Sequence, residues 1–261
     1  MSRVLITGAS SGIGKELAKQ FAMRKHDLVL VARRQELLDE LKEKLIKRYK
    51  IDVQYFVCDL TKKPKEVYDF CKKNKLSIDV LVNNAGYGDF GNFIDSDLDK
   101  NLKMIDLNNK ALVSLTYYFL KDMKENGYGH ILNVGSVASF VPGPYMAVYY
   151  ATKSFVMSFS LSLREELRKD NIRVSVLCPA PTKSDFWKVA NGKTSKAYNN
   201  SYARKPSDAA KTGYDIFEKN KAYAIDGLSY KVLFTIARHL PLELCARAVA
   251  YVQKSTKTKK K

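Results

Sequence analysis

The sequence predicts an α/β fold, a single doubly wound parallel sheet with helices on both faces. Three observations carry that reading. Short runs rich in Val, Ile and Leu alternate with longer stretches of helical period along most of the chain. Those runs are apolar throughout rather than alternating with polar residues, as strands covered on both faces are. No internal repeat or second compositional block divides the 261 residues, 46% of them hydrophobic, and that length is routine for one α/β domain. Parallel neighbours then require right-handed crossovers.

The first strand is Arg3–Thr7 (RVLIT), which passes into glycines and then into the helical spacing of Ile13, Leu17 and Phe21. Asp27–Ala32 (DLVLVA) is the second, followed by a helix over 34–49 with Leu37, Leu38, Leu41, Leu45 and Ile46 at apolar positions. A strand over 53–59, a helix over 63–75 and a strand over 78–83 continue the alternation. Two helices, 97–107 and 110–125, lead to a fifth strand at 130–136. A long helix from 149 to 169 carries Phe155, Phe159, Leu163 and Leu167 on one stripe, and 172–179 is the sixth strand. Between 183 and 205 the pattern breaks into aromatics mixed with Asn, Ser and Gly, and a loop this long inside a compact domain is usually functional. A helix over 206–220, a short strand AYAID and two amphipathic helices separated by Pro241 follow. The expected domain is 1–253, with 183–205 a substrate lid, 228–253 a helical extension and 254–261 a basic, disordered tail.

The formal net charge is +18, and five of the lysines fall in 254–261. Most of the others lie on helices where acids are interleaved, so solvated Lys-rich faces are the first reading. Attraction of anionic ligands, or weak contact with an anionic membrane surface, is the second. No helix-turn-helix, zinc-finger or RNA-binding signature accompanies the charge, so specific nucleic-acid binding is not expected. Cys58, Cys71, Cys178 and Cys245 show no C-x-x-C spacing and read as reduced core thiols. With no uninterrupted apolar run of ~18 residues and no signal peptide, the expected location is cytoplasmic.

Two local patterns carry chemistry. Gly8-x-x-x-Gly12-x-Gly14 follows a strand and opens a helix. Gly8 permits the tight turn, Gly12 lets the backbone approach a pyrophosphate and Gly14 packs helix on strand. The helix N-terminus offers its free N–H groups to an anion, although such turns also serve packing alone. Tyr149 and Lys153, at i and i+4, project from one helix face. A lysine ammonium there favours the phenolate and lowers the tyrosine pKa from about 10, giving a general acid/base for an alcohol or carbonyl oxygen. Tyr150 also reaches Lys153, at i+3. Ser136 and Ser139 compete as the hydroxyl partner, with Ser136 favoured by its place at a strand end.

Together, TGASSGIG at the first turn, NNAG at 83–86, Ser136 and Tyr149-x-x-x-Lys153 resemble the short-chain dehydrogenase/reductase family over about residues 3–186. The resemblance implies a Rossmann-type fold of about seven parallel strands and NAD(P)(H)-dependent redox chemistry on alcohols and carbonyls. A homodimer or homotetramer is implied with it. Tyr149 is implied as catalytic acid/base, and Lys153 as the residue that lowers its pKa and holds the nicotinamide ribose. Ser136 is implied as the hydroxyl polarising the substrate oxygen, and Asn108 as support for a water relay behind the lysine. A hydroxyl and a phenol converging on one oxygen stabilise developing alkoxide charge. The implied cofactor cradle comprises Gly8, Ser10, Ser11, Gly12, Ile13 and Gly14. Asp59 and Leu60 stand at the adenine, Asn84, Ala85 and Gly86 along the adenosine, and Pro179 and Thr182 toward the carboxamide. Ala180 departs from the glycine common in the family after Pro179, adding a methyl near the nicotinamide.

Arg33 and Arg34 come directly after the second strand, with no acid before Glu36. Guanidinium groups suit a 2′-phosphate in charge and geometry, where an NAD site places an acid. NADP(H) is therefore expected over NAD(H). The segment 141–146 (VPGPYM) and the aromatics Phe186, Trp187 and Tyr198 offer an apolar wall, suited to an apolar ketone or aldehyde and its alcohol. A regulatory nucleotide binder on the same fold, usually marked by loss of the Tyr or Lys, and a peripheral membrane binder using the basic C-terminal segment are the alternative readings.

Overall fold

The computed structural model describes residues 2–190 and 203–253, so Tyr198 and the basic segment 254–261 lie outside the described residues. Seven strands form one sheet: β1 (Arg3–Thr7), β2 (Asp27–Ala32), β3 (Val53–Val57), β4 (Val80–Asn83), β5 (Gly129–Val134), β6 (Ile172–Cys178) and β7 (Tyr223–Ile225). Their order is β3-β2-β1-β4-β5-β6-β7 and every pairing is parallel, with Ile6 of β1 level with Leu30 of β2 and Val82 of β4. The order reverses between β1 and β4. Ligands of open α/β sheets bind in the crevice beyond the carboxyl ends of the strands at such a reversal.

The alternation of side chains divides each strand between two cores. Val4, Ile6, Leu28, Leu30, Val80 and Val82 face one side, while Leu5, Val29, Val31 and Leu81 face the other. The first side is covered by α1 (Gly12–Met23), α2 (Gln35–Tyr49) and α8 (Pro206–Glu218), through Leu17, Phe21, Leu41, Leu45 and Tyr214. The second is covered by α3 (Lys65–Lys73), α5 (Leu112–Glu125) and α6 (Ala147–Glu166), through Val67, Cys71, Leu115, Phe119 and Leu163. Because both faces are dry, the strand sequences are apolar without alternation. All four cysteines are buried and free.

Three expectations are corrected. The segments 97–107 and 110–125 are not two helices. α4 (Leu98–Ile105), a π turn at Asp106–Ala111 and α5 run on without a break, every joint residue having right-handed helical dihedrals. Asn108 and Asn109 suggested an interruption because asparagine competes with the helix backbone for hydrogen bonds. Here the wider turn points both inward, 2% and 9% exposed, where distant partners satisfy them. The fifth strand ends at Val134, short of 136, so that Ser136 caps the short 3-10 turn Val137–Phe140. The helix α6 begins at Ala147 and ends at Glu166 rather than spanning 149–169.

Beyond β7, α9 (Leu228–Ala237) and α10 (Leu242–Gln253) flank Pro241. Among the described residues, no helix is long and apolar enough to cross a membrane.

Candidate active site

Tyr149 lies in the first turn of α6, with Lys153 one turn later on the same face, its ammonium 5.9 Å from the Tyr149 ring centroid. Ser136 stands opposite, after β5. Its hydroxyl oxygen accepts from Ala138 N at 3.1 Å, which leaves its proton free to be donated, and it lies close enough to the Tyr149 phenol to pull that group's pKa down. The competing residues are spent elsewhere. Ser139 donates to the Lys153 carbonyl at 2.8 Å, and the Tyr150 hydroxyl accepts from Gln253 of α10 at 2.6 Å. A groove of about 580 Å³ between residues 139–144 and α6 likewise lies on the Tyr150 side, not at Tyr149.

Around Tyr149 the walls are apolar. The Phe186 ring, from the short helix α7 (Phe186–Val189), lies 5.2 Å from the Tyr149 ring. A Cβ on Gly88 would come within 2.7 Å of Phe186, 3.1 Å of Met146 and 3.2 Å of Tyr149, so glycine is what admits this close packing. Burial in these surroundings pushes the Tyr149 phenol up to about 12, against the smaller downward pull of Ser136. The downward shift expected from Lys153 is not found: burial raises the phenol, and Ser136 supplies the pull against it. Lys153 is itself 6% exposed, its ammonium donates to the Val134 carbonyl at 2.8 Å, and burial pulls its pKa down to about 8.

Asn108 reaches the same place from the π turn. It accepts from Tyr87 N at 3.1 Å and donates to Tyr87 O and to Thr152 Oγ1, each at 3.0 Å. The side chain therefore clamps the chain after β4 to α6. A Cβ built on Gly86 would lie 2.9 Å from Asn108 Oδ1 and 3.6 Å from Lys153 Nζ, placing both beside that glycine.

The nucleotide side gathers at the crevice. Gly8 has φ +66, and a Cβ there would come within 2.8 Å of Asn84 Nδ2. That amide donates to Thr7 O at 2.8 Å and Gly8 O at 3.3 Å, and Thr7 Oγ1 accepts from Asn84 N and Ala85 N, pinning the ends of β1 and β4 together. α1 starts at Gly12 with no side-chain cap and no acidic residue in its first turn, so its leading N–H groups remain available to an anion. Arg34 donates to Ser10 Oγ at 3.1 Å and Ser11 Oγ at 2.8 Å, holding a guanidinium over that same turn. Arg33 is exposed beside it. Burial raises the Asp59 carboxyl, but bonds from Thr61 and the Arg33 charge overcome this and hold it below its ordinary value. Uncapped N–H groups, two serines and two guanidiniums fit a dinucleotide carrying an extra phosphate.

Other expected contacts are partly internal. Leu60 is buried in the core with Cys58, and Ile13 packs against the opposite core. Asp59 Oδ1 accepts from Thr61 N and Oγ1. The Pro179 carbonyl accepts from Val137 N, and Thr182 donates to Ala180 O at 2.7 Å. Sequence reasoning missed Arg204, which pairs with Thr182 in an isolated bridge and donates through Nε to the fully buried Asp226 at 2.7 Å. The signal available was an acid directly after an apolar strand, in AYAID.

Comparison with known proteins agrees with this arrangement. The family model for short chain dehydrogenases matches residues 2–195. The NADP-dependent 3-hydroxy acid dehydrogenase YdfG of Escherichia coli (strain K12) is 35% identical over 216 residues, 79% of this chain and 85% of that protein. A very-long-chain 3-oxoacyl-CoA reductase of Anas platyrhynchos is 34% identical over 77% of this chain and 66% of its own. The structure of a short-chain dehydrogenase from Sphingobium yanoikuyae in complex with NADPH superposes with a TM-score of 0.82 at 32% identity, covering 90% of this chain and 93% of that one. With a match of that extent and relatives of that identity, the chain belongs to the short-chain dehydrogenase family of oxidoreductases.

Proposed function

We propose that the protein is an NADP(H)-dependent reductase that interconverts an apolar ketone or aldehyde and the corresponding alcohol. The observation that carries this reading is the convergence of the Ser136 hydroxyl and the Tyr149 phenol beside the buried Lys153 ammonium. When bound, the cofactor supplies or accepts the hydride. Tyr149, with its pKa near 12, keeps its proton at neutral pH and gives it to the substrate oxygen as general acid, while Ser136 donates a hydrogen bond to the same oxygen. The Lys153 charge steadies the phenolate as that proton leaves. Phe186, Met146 and Gly88 exclude water and favour an apolar substituent on the carbonyl carbon.

NADP(H) preference rests on Arg33 and Arg34, with Arg34 seated on Ser10 and Ser11, and on relatives whose names record NADP dependence or NADPH binding. The catalytic domain is taken as 1–253, working in the cytoplasm. A homo-oligomer is supported by apolar residues left exposed on two helices, Leu98, Leu102 and Ile105 of α4 and Phe155 of α6.

The test is NADPH oxidation by the purified protein over 3-oxoacyl, steroid and aromatic carbonyl substrates. Turnover with at least one of them, at a higher kcat/KM with NADPH than with NADH, is expected. Tight NADPH binding without turnover on any carbonyl would instead favour the regulatory nucleotide binder.

A further inference from the structure

α9 is apolar on two opposite faces, and α10 also leaves apolar residues exposed. α9 packs inward through Tyr230 and Phe234, which join Phe140 and Tyr223 against the end of the sheet. Its other side carries Leu228, Val232, Leu233 and Ile236, at 78%, 52%, 56% and 57% exposure. α10 turns Cys245 and Gln253 inward, 5% exposed each, and leaves Leu244 and Val252 more than half exposed. A helix apolar all round is normally covered all round, and apolar exposure concentrated on consecutive elements marks an interaction surface.

Charge indicates what covers it. Residues 228–261 hold eight Lys and Arg but one acid, Glu243. Lys231, Arg238 and Arg247 lie exposed on or between the two helices, and five more lysines follow in 254–261. A second copy of this surface would set those cations against one another. An anionic bilayer offers a hydrocarbon boundary to the leucines and negative charge to the lysines and arginines.

We propose that α9 and α10 dock the enzyme on an anionic lipid surface. The outward apolar residues sink to the acyl boundary, and Lys231, Arg238 and Arg247 lie among the headgroups. Neither helix crosses the bilayer. This attachment is separate from the reaction and holds whatever carbonyl the site accepts.

The experiment is flotation of the full chain with vesicles of phosphatidylcholine alone or mixed equally with phosphatidylglycerol. Binding to the mixed vesicles is expected, with a fall of roughly tenfold or more on neutral vesicles or in high salt. The double variant Leu233→Glu/Ile236→Glu should lose roughly tenfold in vesicle binding, with its circular dichroism and melting temperature unchanged. Should that variant not fold, Lys231→Glu/Arg247→Glu tests the same surface through its charge and should lose binding to the anionic vesicles. Equal binding to neutral and anionic vesicles, or folded variants that float as well as the native chain, would overturn the proposal. So would light scattering in which the apolar-face variant converts a dimer to monomers while vesicle binding persists, since a second copy would then be the occupant.

Discussion

Replacing Lys153 by Met is expected to abolish turnover and, in the cofactor-free protein, to raise stability. The lysine is 6% exposed and among the described residues it has no carboxylate partner, only the Val134 carbonyl at 2.8 Å. Burial pulls its pKa from 10.5 to about 8. Because the folded amine holds its proton less tightly than the unfolded one, the unfolded chain binds more protons between those two values, and stability rises with pH across that window. Below about pH 8 both states are charged and the whole cost of the buried cation is present, roughly 3 kcal/mol at 1.36 kcal/mol per pH unit. Methionine fills similar space without charge, but the Val134 carbonyl loses its donor, which returns about 1 kcal/mol. The net gain is about 2 kcal/mol, or about 4–8 °C in Tm for a domain of this size. Thermal denaturation of both proteins at about pH 6.5 and about pH 9.5 measures it, and the gap should close at the higher value. Tyr149, shifted in the opposite direction, does not contribute until the pH passes 10. A variant that melts at or below the native protein at the lower pH, or a gap independent of pH, would refute the reasoning.

Tyr149→Phe should lower kcat by roughly 10²–10⁴ with NADPH affinity close to intact. Tyr150→Phe should leave kcat alone and lose about 1 kcal/mol of stability with the Gln253 bond, and the reverse pattern would put the wrong tyrosine in the site. The kcat/KM for reduction should decline as pH rises through about 8, where Lys153 loses its charge; a plateau persisting to pH 10 would exclude that group. Arg33→Asp/Arg34→Asp should cut the NADPH-over-NADH ratio of kcat/KM by roughly tenfold to a hundredfold, and an unchanged ratio would sink the assignment. Asp226→Ala, which leaves Arg204 only its more exposed partner Asp208, should destabilise by about 2–3 kcal/mol, less than a fully enclosed pair because Arg204 is 33% exposed; a Tm unchanged from native would show the pair to be idle.

Strands were the most legible part of the chain, because two dry faces demand apolar residues at every position and leave a local trace. The interruption read at 107–110 failed for the opposite reason. What satisfies Asn108 and Asn109 is Tyr87 and Thr152, supplied by other elements. The Tyr149–Lys153 spacing told which residues meet, but not the sign of the phenol's shift, which is decided by burial beneath Phe186 and Met146. Asn84 was read as a cofactor contact, and its amide proves to strut the first turn against β4. A local pattern names the groups that carry charge, while the neighbours that dry them out arrive from distant parts of the chain.

The π turn at Asp106–Ala111 has a consequence for how this lineage can vary. Deleting one residue there would restore ordinary α winding and keep a long helix, so folding would survive. Because a π turn takes up one extra residue without rotating what flanks it, Leu98, Leu102 and Ile105 would keep their direction relative to α5. What would be lost is the wider turn that aims Asn108 at the Tyr87 backbone and Thr152. The surplus residue therefore serves the inner clamp on α6 and leaves the outer face of α4 where ordinary winding would put it. A single-codon loss there would release the clamp at the candidate site while sparing any contact made by the outer face of α4, in a protein that still folds.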